Sequence, residues 1–329
     1  MLKVAVVAGG YSDESVISLK SCELIYQNID QSKYEPIRVR ILKEGWYAEI
    51  DGEKYPIHRG DFTFDRHGEK VKFDVVFNTI HGTPGEDGYL QAYFEMIGIK
   101  YNGCDFYQSA ITFNKKDCIA VLSKYGIPHA QSVYVAANEQ LNHDEVLAKV
   151  GLPCFVKPNK SGSSLGISKV HSKEELQPAL DKAFREDREV LIESFLDGTE
   201  VSVGVLKYNG VTTVLGITEI ISENEFFDYE AKYEGKSQEI TPARLDTKTE
   251  QKVRNIAAKA YDALNMTGFS RSEYIVVNGE PYFLEMNTLP GMSPASIFPQ
   301  QAQHAGISMK DLIESELNFA LNKTSPWNV

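Results

Sequence analysis

The sequence predicts an α/β protein of more than one domain, with α+β character in its later part. Three observations carry this reading. The chain has 329 residues, more than one hydrophobic core usually supports. It opens with a continuous apolar run over residues 3–8, then Gly9-Gly10, then a helical pattern over 15–27. Strand, glycine turn and helix in that order begin a doubly wound α/β domain. Near the other end, two acidic strand-like segments, 271–277 and 282–287, flank Asn278-Gly279, which is the chemistry of a hairpin and not of a parallel crossover.

Composition narrows the function classes. Hydrophobic residues make up 42% of the chain and charged residues 24%, as in an ordinary globular protein. The net charge of -12 argues against a phosphate-backbone footprint, so nucleic acid is not expected as a partner. Nucleotides remain open, because a few placed Lys side chains and a metal offset a triphosphate locally. Cys22, Cys104, Cys118 and Cys154 form no C-x-x-C pair. They read as buried free thiols of a reducing, cytoplasmic compartment, not as a disulfide framework or zinc site. The opening MLKVAVVAGG runs straight into Gly-Gly and is expected to be a first strand, not a signal segment. No apolar run is long enough to span a membrane.

The elements follow in order. Glu14 starts the first helix; from the residues alone it is a first-turn acid suited to the helix dipole. Residues 36–42 read as a strand, 46–57 as a hairpin around Asp51-Gly52 and 73–78 as a buried strand. The glycine-rich HGTPGEDG of 81–88 comes next, at a strand end of the kind where open α/β sheets hold ligands. His81 there reads as structural or binding with equal weight. Helices are expected at 90–97 and 114–125, a strand at 132–135 and a helix at 143–149. Two strands then bracket the Gly/Ser loop of PCFVKPNKSGSSLGISKV, which is either a plain hairpin loop or a wrap of N–H and hydroxyl groups around phosphate, with Lys157 favouring phosphate. It lacks the Gly-Lys-Ser/Thr and helix of a Walker A loop. A helix at 174–185 and a strand at 189–195 lead to Glu193 and Glu200, read either as surface charges or as contacts to an adenine amine and ribose hydroxyls. Strands near 201–206 and 211–218, a polar loop FFDYEAKYEGKS, and a long helix at 246–264 with Ile256, Ala260 and Ala263 on one face precede the acidic hairpin. A last amphipathic helix covers 308–321.

Register decides the chemistry of that hairpin. A two-residue loop pairs Val277 with Glu280 and sets Glu273 on the face opposite Glu285. A three-residue loop pairs Val276 with Glu280 and collects Arg271, Glu273, Glu285 and Asn287 on one face. It leaves Tyr274, Val276, Leu284 and Met286 for the other. The second register is preferred because it collects all four polar groups; a carboxylate beside an amide oxygen is a pair of hard ligands of the kind Mg²⁺ takes. The site therefore requires an odd-length loop or an equivalent bulge.

Six blocks, GGYSDESVISLKS, HGTPGEDGYLQ, KPNKSGSSLG, IESFLDGTE, FFDYEAKY and FLEMNTLPGMSPAS, together resemble the D-alanine–D-alanine ligases of the ATP-grasp superfamily over nearly the whole chain. The resemblance implies an N-terminal doubly wound α/β domain (1–103), a small central α+β domain (104–196) and a C-terminal mixed-sheet domain (197–329) with the metal and substrate site. The last two would grip ATP between two sheets. It implies Lys115, Lys157 and Lys232 on ATP, with Ser163 and Ser164 in the loop closing over the phosphates. Glu193 and the stretch Ser194, Phe195 and Leu196 would form the adenine pocket, with Glu200 on the ribose. Glu273, Glu285 and Asn287 would hold two Mg²⁺ ions, or Mn²⁺ in their place. Glu14 would take the first substrate's ammonium group, and Arg271 would face the carbonyl under attack. His81, Gly291, Ser296 and Ile297 would bind substrate, and Tyr233 with Ser163 would link Glu14 to the lid FFDYEAKY. The implied reaction joins two D-alanine molecules through an acyl phosphate, releasing ADP and phosphate for peptidoglycan precursor synthesis. D-Lactate or D-serine as second substrate, and a non-catalytic nucleotide-binding protein, are the rivals. A homodimer is compatible with the family, and Tyr233 is the residue that goes with D-alanine as second substrate. The chain departs from the family's usual Asp at Glu273 and from a common charged residue at Ser161, with milder core variants at Cys154 and Phe155.

Overall fold

The computed structural model describes residues 1–222, 237–293 and 295–323. Three main sheets follow one another along the chain. The first comprises β1 (Leu2–Gly9), β2 (Tyr34–Ile41), β3 (Trp46–Ile50), β4 (Glu53–Pro56), β7 (Val75–Asn78) and β8 (Lys100–Tyr101), in the order β4-β3-β2-β1-β7-β8. Its pairs β1–β2, β1–β7 and β7–β8 are parallel, with α1 (Ser15–Asn28) and α2 (Tyr89–Met96) as crossovers. Val4 to Ala8 are wholly buried, as the unbroken apolar run requires. A short hairpin, β5 (Phe64–Arg66) and β6 (Glu69–Val71), was not foreseen in the sequence.

The second sheet is antiparallel: β9 (Ser132–Ala136), β10 (Cys154–Pro158), β11 (Ser168–Val170) and β12 (Glu189–Ser194), ordered β11-β10-β12-β9. Helices α5 (His143–Val150) and α6 (Lys173–Ala183) contribute Val146, Leu176 and Leu180 to the core beneath it. The third sheet, also antiparallel, is β15-β14-β13-β16-β17, from β13 (Thr199–Tyr208), β14 (Val211–Ser222), β15 (Ser237–Ile240), β16 (Phe269–Val277) and β17 (Glu280–Asn287).

Helix α7 (Thr247–Ala263) covers the third sheet. Its buried face is Val253, Ala257, Ala260 and Tyr261, with Ile256 and Ala263 partly buried beside it. Two helices escaped the sequence reading. The first, α3 (Phe106–Phe113), begins at a capping box: Asp105 accepts from the N–H groups of Tyr107 and Gln108, and Gln108 returns a bond to the Asp105 N–H. Such a cap is worth about 1 kcal/mol. The second is α8 (Ile297–His304). Helix α4 (Lys115–Lys124) and the closing α9 (Met309–Asn322) lie near their expected positions. Cys118, Ile119 and Leu122 of α4 join the core of the third sheet, and α9 packs Leu312, Ile313 and Leu317 against β1, α1 and Phe269. These two cores bring the loops of the first sheet to the end of the β16–β17 hairpin.

Candidate active site

The hairpin differs from the preferred register in one respect. Asn278 and Gly279 both have positive φ, 50° and 76°, and Val277 pairs with Glu280 across a two-residue turn. The three-residue loop is not formed, because Asn-Gly readily adopts the left-handed two-residue turn that matches strand twist. The odd residue is absorbed instead at Leu284. Tyr274 pairs with Phe283, and beyond the bulge Glu273 pairs with Glu285 and Arg271 with Asn287. Arg271, Glu273, Glu285 and Asn287 therefore share one face. Leu284 does not join Tyr274 and Met286 in the core; it lines a cavity, and Phe283 takes the buried place against Tyr274.

Two cavities meet at this face. One, of about 400 Å³, lies between the second and third sheets, with Lys157 and Ser164 on one side and Glu273 and Leu284 on the other. Glu193, Ser194, Phe195, Leu196 and Glu200 line its far end. The other, of about 320 Å³, is bounded by Glu14, His81, Ser163 and Arg271, and by Asn287, Gly291, Ser296 and Ile297. Lys115, Ser161 and Glu285 line both. All the expected site residues within the described chain thus lie on one of two joined cavities. Lys232, Tyr233 and the lid FFDYEAKY lie outside the described residues.

In the first cavity the charges are paired. Lys157 Nζ lies 2.7 Å from Glu193 Oε2, with both side chains largely buried. Burial works against the Lys157 charge, but Glu193 outweighs it and raises the pKa above the usual lysine range. Lys115 Nζ donates to the Ser161 carbonyl at 2.9 Å and lies 3.2 Å from Glu285 Oε2. Glu273 and Glu285 sit directly across the ladder, where like charges repel. Arg271 relieves this, with Nη1 2.5 Å from Glu273 Oε1 and 3.1 Å from Ser202 Oγ. Burial disfavours the guanidinium charge, yet Glu273, Glu285 and Glu239 hold it firmly protonated.

The second cavity gathers acids. Glu14 caps α1 but makes no side-chain bond to its own helix, so the dipole does not account for where its carboxylate points. It is instead gripped by Ser163, whose Oγ donates to Oε1 at 2.5 Å. Gly82 and Gly162 permit the approach: a Cβ on either would lie within 2.9 Å of a Glu14 carboxylate oxygen. Glu86 is pushed up to about 8 by burial and by Glu14, and Glu239 is raised by burial. Burial lowers His81 to about 4, so its ring is neutral near pH 7. Gly291 is packed against the start of α8, where a Cβ would meet Ser296 Oγ at 2.9 Å.

Among the described residues no group of three or more His, Cys, Asp or Glu side chains is arranged around a metal position. The donors here are two carboxylates and an amide. That set suits Mg²⁺, which takes one or two carboxylates and completes its shell with phosphate oxygens and water. Sequence reasoning did not single out Ser21, Glu86, Ser202 or Glu239. Glu86 lay inside the quoted HGTPGEDG block and was legible there. Glu239 sits on the four-residue β15, too short to show a period.

Known proteins resemble this chain over nearly its whole length. A family model described as "D-ala D-ala ligase N-terminus" matches residues 3–104, and one described as "D-ala D-ala ligase C-terminus" matches 121–318. A curated relative from Flavobacterium psychrophilum, named D-alanine--D-alanine ligase, is 56% identical over 99% of each chain. One of the same name from Phocaeicola vulgatus is 47% identical over 94% of this chain and 96% of its own. Among solved structures, the VanG D-Ala:D-Ser ligase from Enterococcus faecalis superposes with a TM-score of 0.87 at 32% identity, covering 97% of this chain and 99% of its own. The D-alanine--D-alanine ligase from Bacillus anthracis complexed with ATP gives 0.79 at 29% identity, covering 98% of each.

Proposed function

Since the chain belongs to the D-alanine–D-alanine ligase family, we infer that it is an ATP-dependent ligase that joins two D-alanine molecules for peptidoglycan synthesis. The observation that carries the reading is the meeting of the two cavities at Lys115, Ser161 and Glu285. A nucleotide whose adenine lies against Phe195 and Leu196 would bring its terminal phosphate to that junction. A D-alanine held through its ammonium group by Glu14 would bring its carboxylate there from the other side.

The carboxylate oxygen attacks the γ-phosphorus and ADP leaves. Lys115 and Lys157 hold phosphate oxygens, and Ser163 keeps Glu14 in place. Glu273, Glu285 and Asn287 would hold Mg²⁺, which when bound supplies charge neutralisation at the phosphoryl oxygens. The amine of the second D-alanine, its carboxylate near Ser296 and Ile297 at the N-terminus of α8, attacks the acyl carbon. Arg271 and the Gly291 N–H stabilise the oxyanion, and phosphate departs with the oxygen it received from the first carboxylate. The acyl phosphate is protected by exclusion of water. The three sheets would act as three domains divided near 103/104 and 196/197. Four buried free cysteines fit a reducing, cytoplasmic setting.

The likeness to a D-Ala:D-Ser ligase makes D-serine the rival second substrate. Purified protein supplied with Mg-ATP, D-alanine, D-serine and D-lactate should give D-alanyl-D-alanine as the main product by mass spectrometry. A predominance of either mixed product would overturn the assignment of the second substrate, and absence of any D-amino-acid-dependent phosphate release would overturn the ligase itself.

A further inference from the structure

We propose that Ser21, in the middle of α1, is a positioning residue for the second half of the reaction. Together with His81 it clasps the segment 289–292, which carries the Gly291 N–H towards the carbonyl under attack. This rests on the ligase reading above and adds to it a residue that touches neither substrate nor nucleotide.

The observation is a directed chain of hydrogen bonds. The Ser21 hydroxyl is buried, 1% exposed. Its oxygen accepts the Met292 N–H at 3.1 Å and lies 3.3 Å from His81 Nε2. A serine hydroxyl has one proton to give. The oxygen accepts from Met292, and among the described residues Nε2 is the acceptor placed to receive that proton, which assigns a bare Nε2. On that assignment the ring proton resides on Nδ1, and the Leu289 backbone acts on the ring in the sense of a carbonyl acceptor. Glu86 takes a further backbone bond from Leu289, and also accepts the Gly82 N–H at 2.7 Å. Leu289 and Met292 are located by burial of their side chains, but burial does not set the rotation of the peptides between them. Gly291 has no side chain to help, and a Cβ there would meet Ser296 Oγ at 2.9 Å. Hydrogen bonds at both ends of the segment supply that orientation. They come from α1 and the 81–88 loop, whereas the hairpin leading into the segment belongs to the third sheet.

A buried Ser–His pair that only stabilised the fold would affect both half-reactions alike. A positioning pair separates them. In Ser21→Ala the KM for the second D-alanine should rise, and kcat should fall, each by about tenfold, the scale of one buried hydrogen bond. The constants for ATP and the first D-alanine should stay within about twofold. Ser21→Thr keeps the hydroxyl and should recover most of the loss. The ¹⁵N resonances of His81 in unmodified protein should report the Nδ1–H tautomer with a bare Nε2. Equal changes in both D-alanine constants, unchanged kinetics in Ser21→Ala, or an Nε2–H tautomer would each overturn the proposal. If Ser21→Ala does not fold, Ser21→Cys, which keeps the bulk but weakens the hydrogen bond, reads the same split in the constants. If the unmodified protein makes no dipeptide, the ligase reading fails separately and the tautomer still tests the clasp.

Discussion

The two cavities that meet at Lys115 and Glu285 hold their charges in different ways. In the one between the second and third sheets, lysines face inward and carboxylates already hold them, Lys157 by Glu193 and Lys115 by Glu285. In the other, Glu14, Glu86 and Glu239 share the wall with a neutral His81 and with Arg271, and burial raises both Glu86 and Glu239. The first suits a polyanion that can take over cations from their present partners. The second offers Glu14 to an ammonium group and Arg271 to a carboxylate. A chain with a net charge of -12 can therefore bind a triphosphate, because placement within a few ångströms outweighs the overall balance.

The comparison breaks most visibly at the shared residue. Glu285→Ala removes a donor from the junction and should lower kcat by about a thousandfold or more, while circular dichroism and the thermal midpoint stay near those of the unmodified protein. Near-normal phosphate release at ordinary Mg²⁺ would remove Glu285 from the junction chemistry.

Next in size is the buried pair of the nucleotide cavity. Lys157→Met strands Glu193, which is 3% exposed, and should lower stability by about 3 kcal/mol in urea titrations. Changing both partners, K157M with E193L, should return most of that stability yet leave ATP binding undetectable by calorimetry. Recovery of nucleotide binding in the double variant would mean that the pair is only structural. Glu273→Asp is gentler. It shortens the arm that reaches Arg271 but keeps a carboxylate opposite Glu285, so activity should stay within about tenfold; complete loss in a phosphate-release assay would contradict the alignment of this strand.

The smallest effect sharpens the acidic side. Glu86 keeps its proton up to about pH 8 when folded, against an ordinary value of 4.5. Between those values the unfolded chain has lost a proton that the folded chain retains, so raising the pH removes stability. Glu86→Gln takes away that component. Its thermal midpoint should fall less between pH 5 and pH 8 than that of the unmodified protein, by a few degrees. Parallel curves would show that Glu86 is not held protonated.

Much of this was legible in the sequence where the signal is local. The run at 3–8, the turn Asn278-Gly279 and the alternation of Glu285 with Asn287 each speak within a few residues. The capping box at Asp105 and Gln108 was equally local and was overlooked. Leu284 shows the limit: a longer loop and a bulge give the same parity of side chains, so pattern predicted the shared face but not how the chain achieves it. Ser21 lay beyond reach for another reason. Its partners are 60 and 271 residues away, and nothing near a serine on a helix announces such contacts.

The central claim is that a carboxylate in the cavity of Glu14 attacks a phosphate in the cavity of Lys157. D-Alanine labelled with ¹⁸O in both carboxylate oxygens tests it directly, by mass spectrometry of the phosphate released during dipeptide synthesis with unlabelled Mg-ATP and water. Transfer through an acyl phosphate predicts one ¹⁸O in each phosphate formed. Phosphate free of ¹⁸O, with dipeptide still produced, would contradict the junction as the place where the two substrates react.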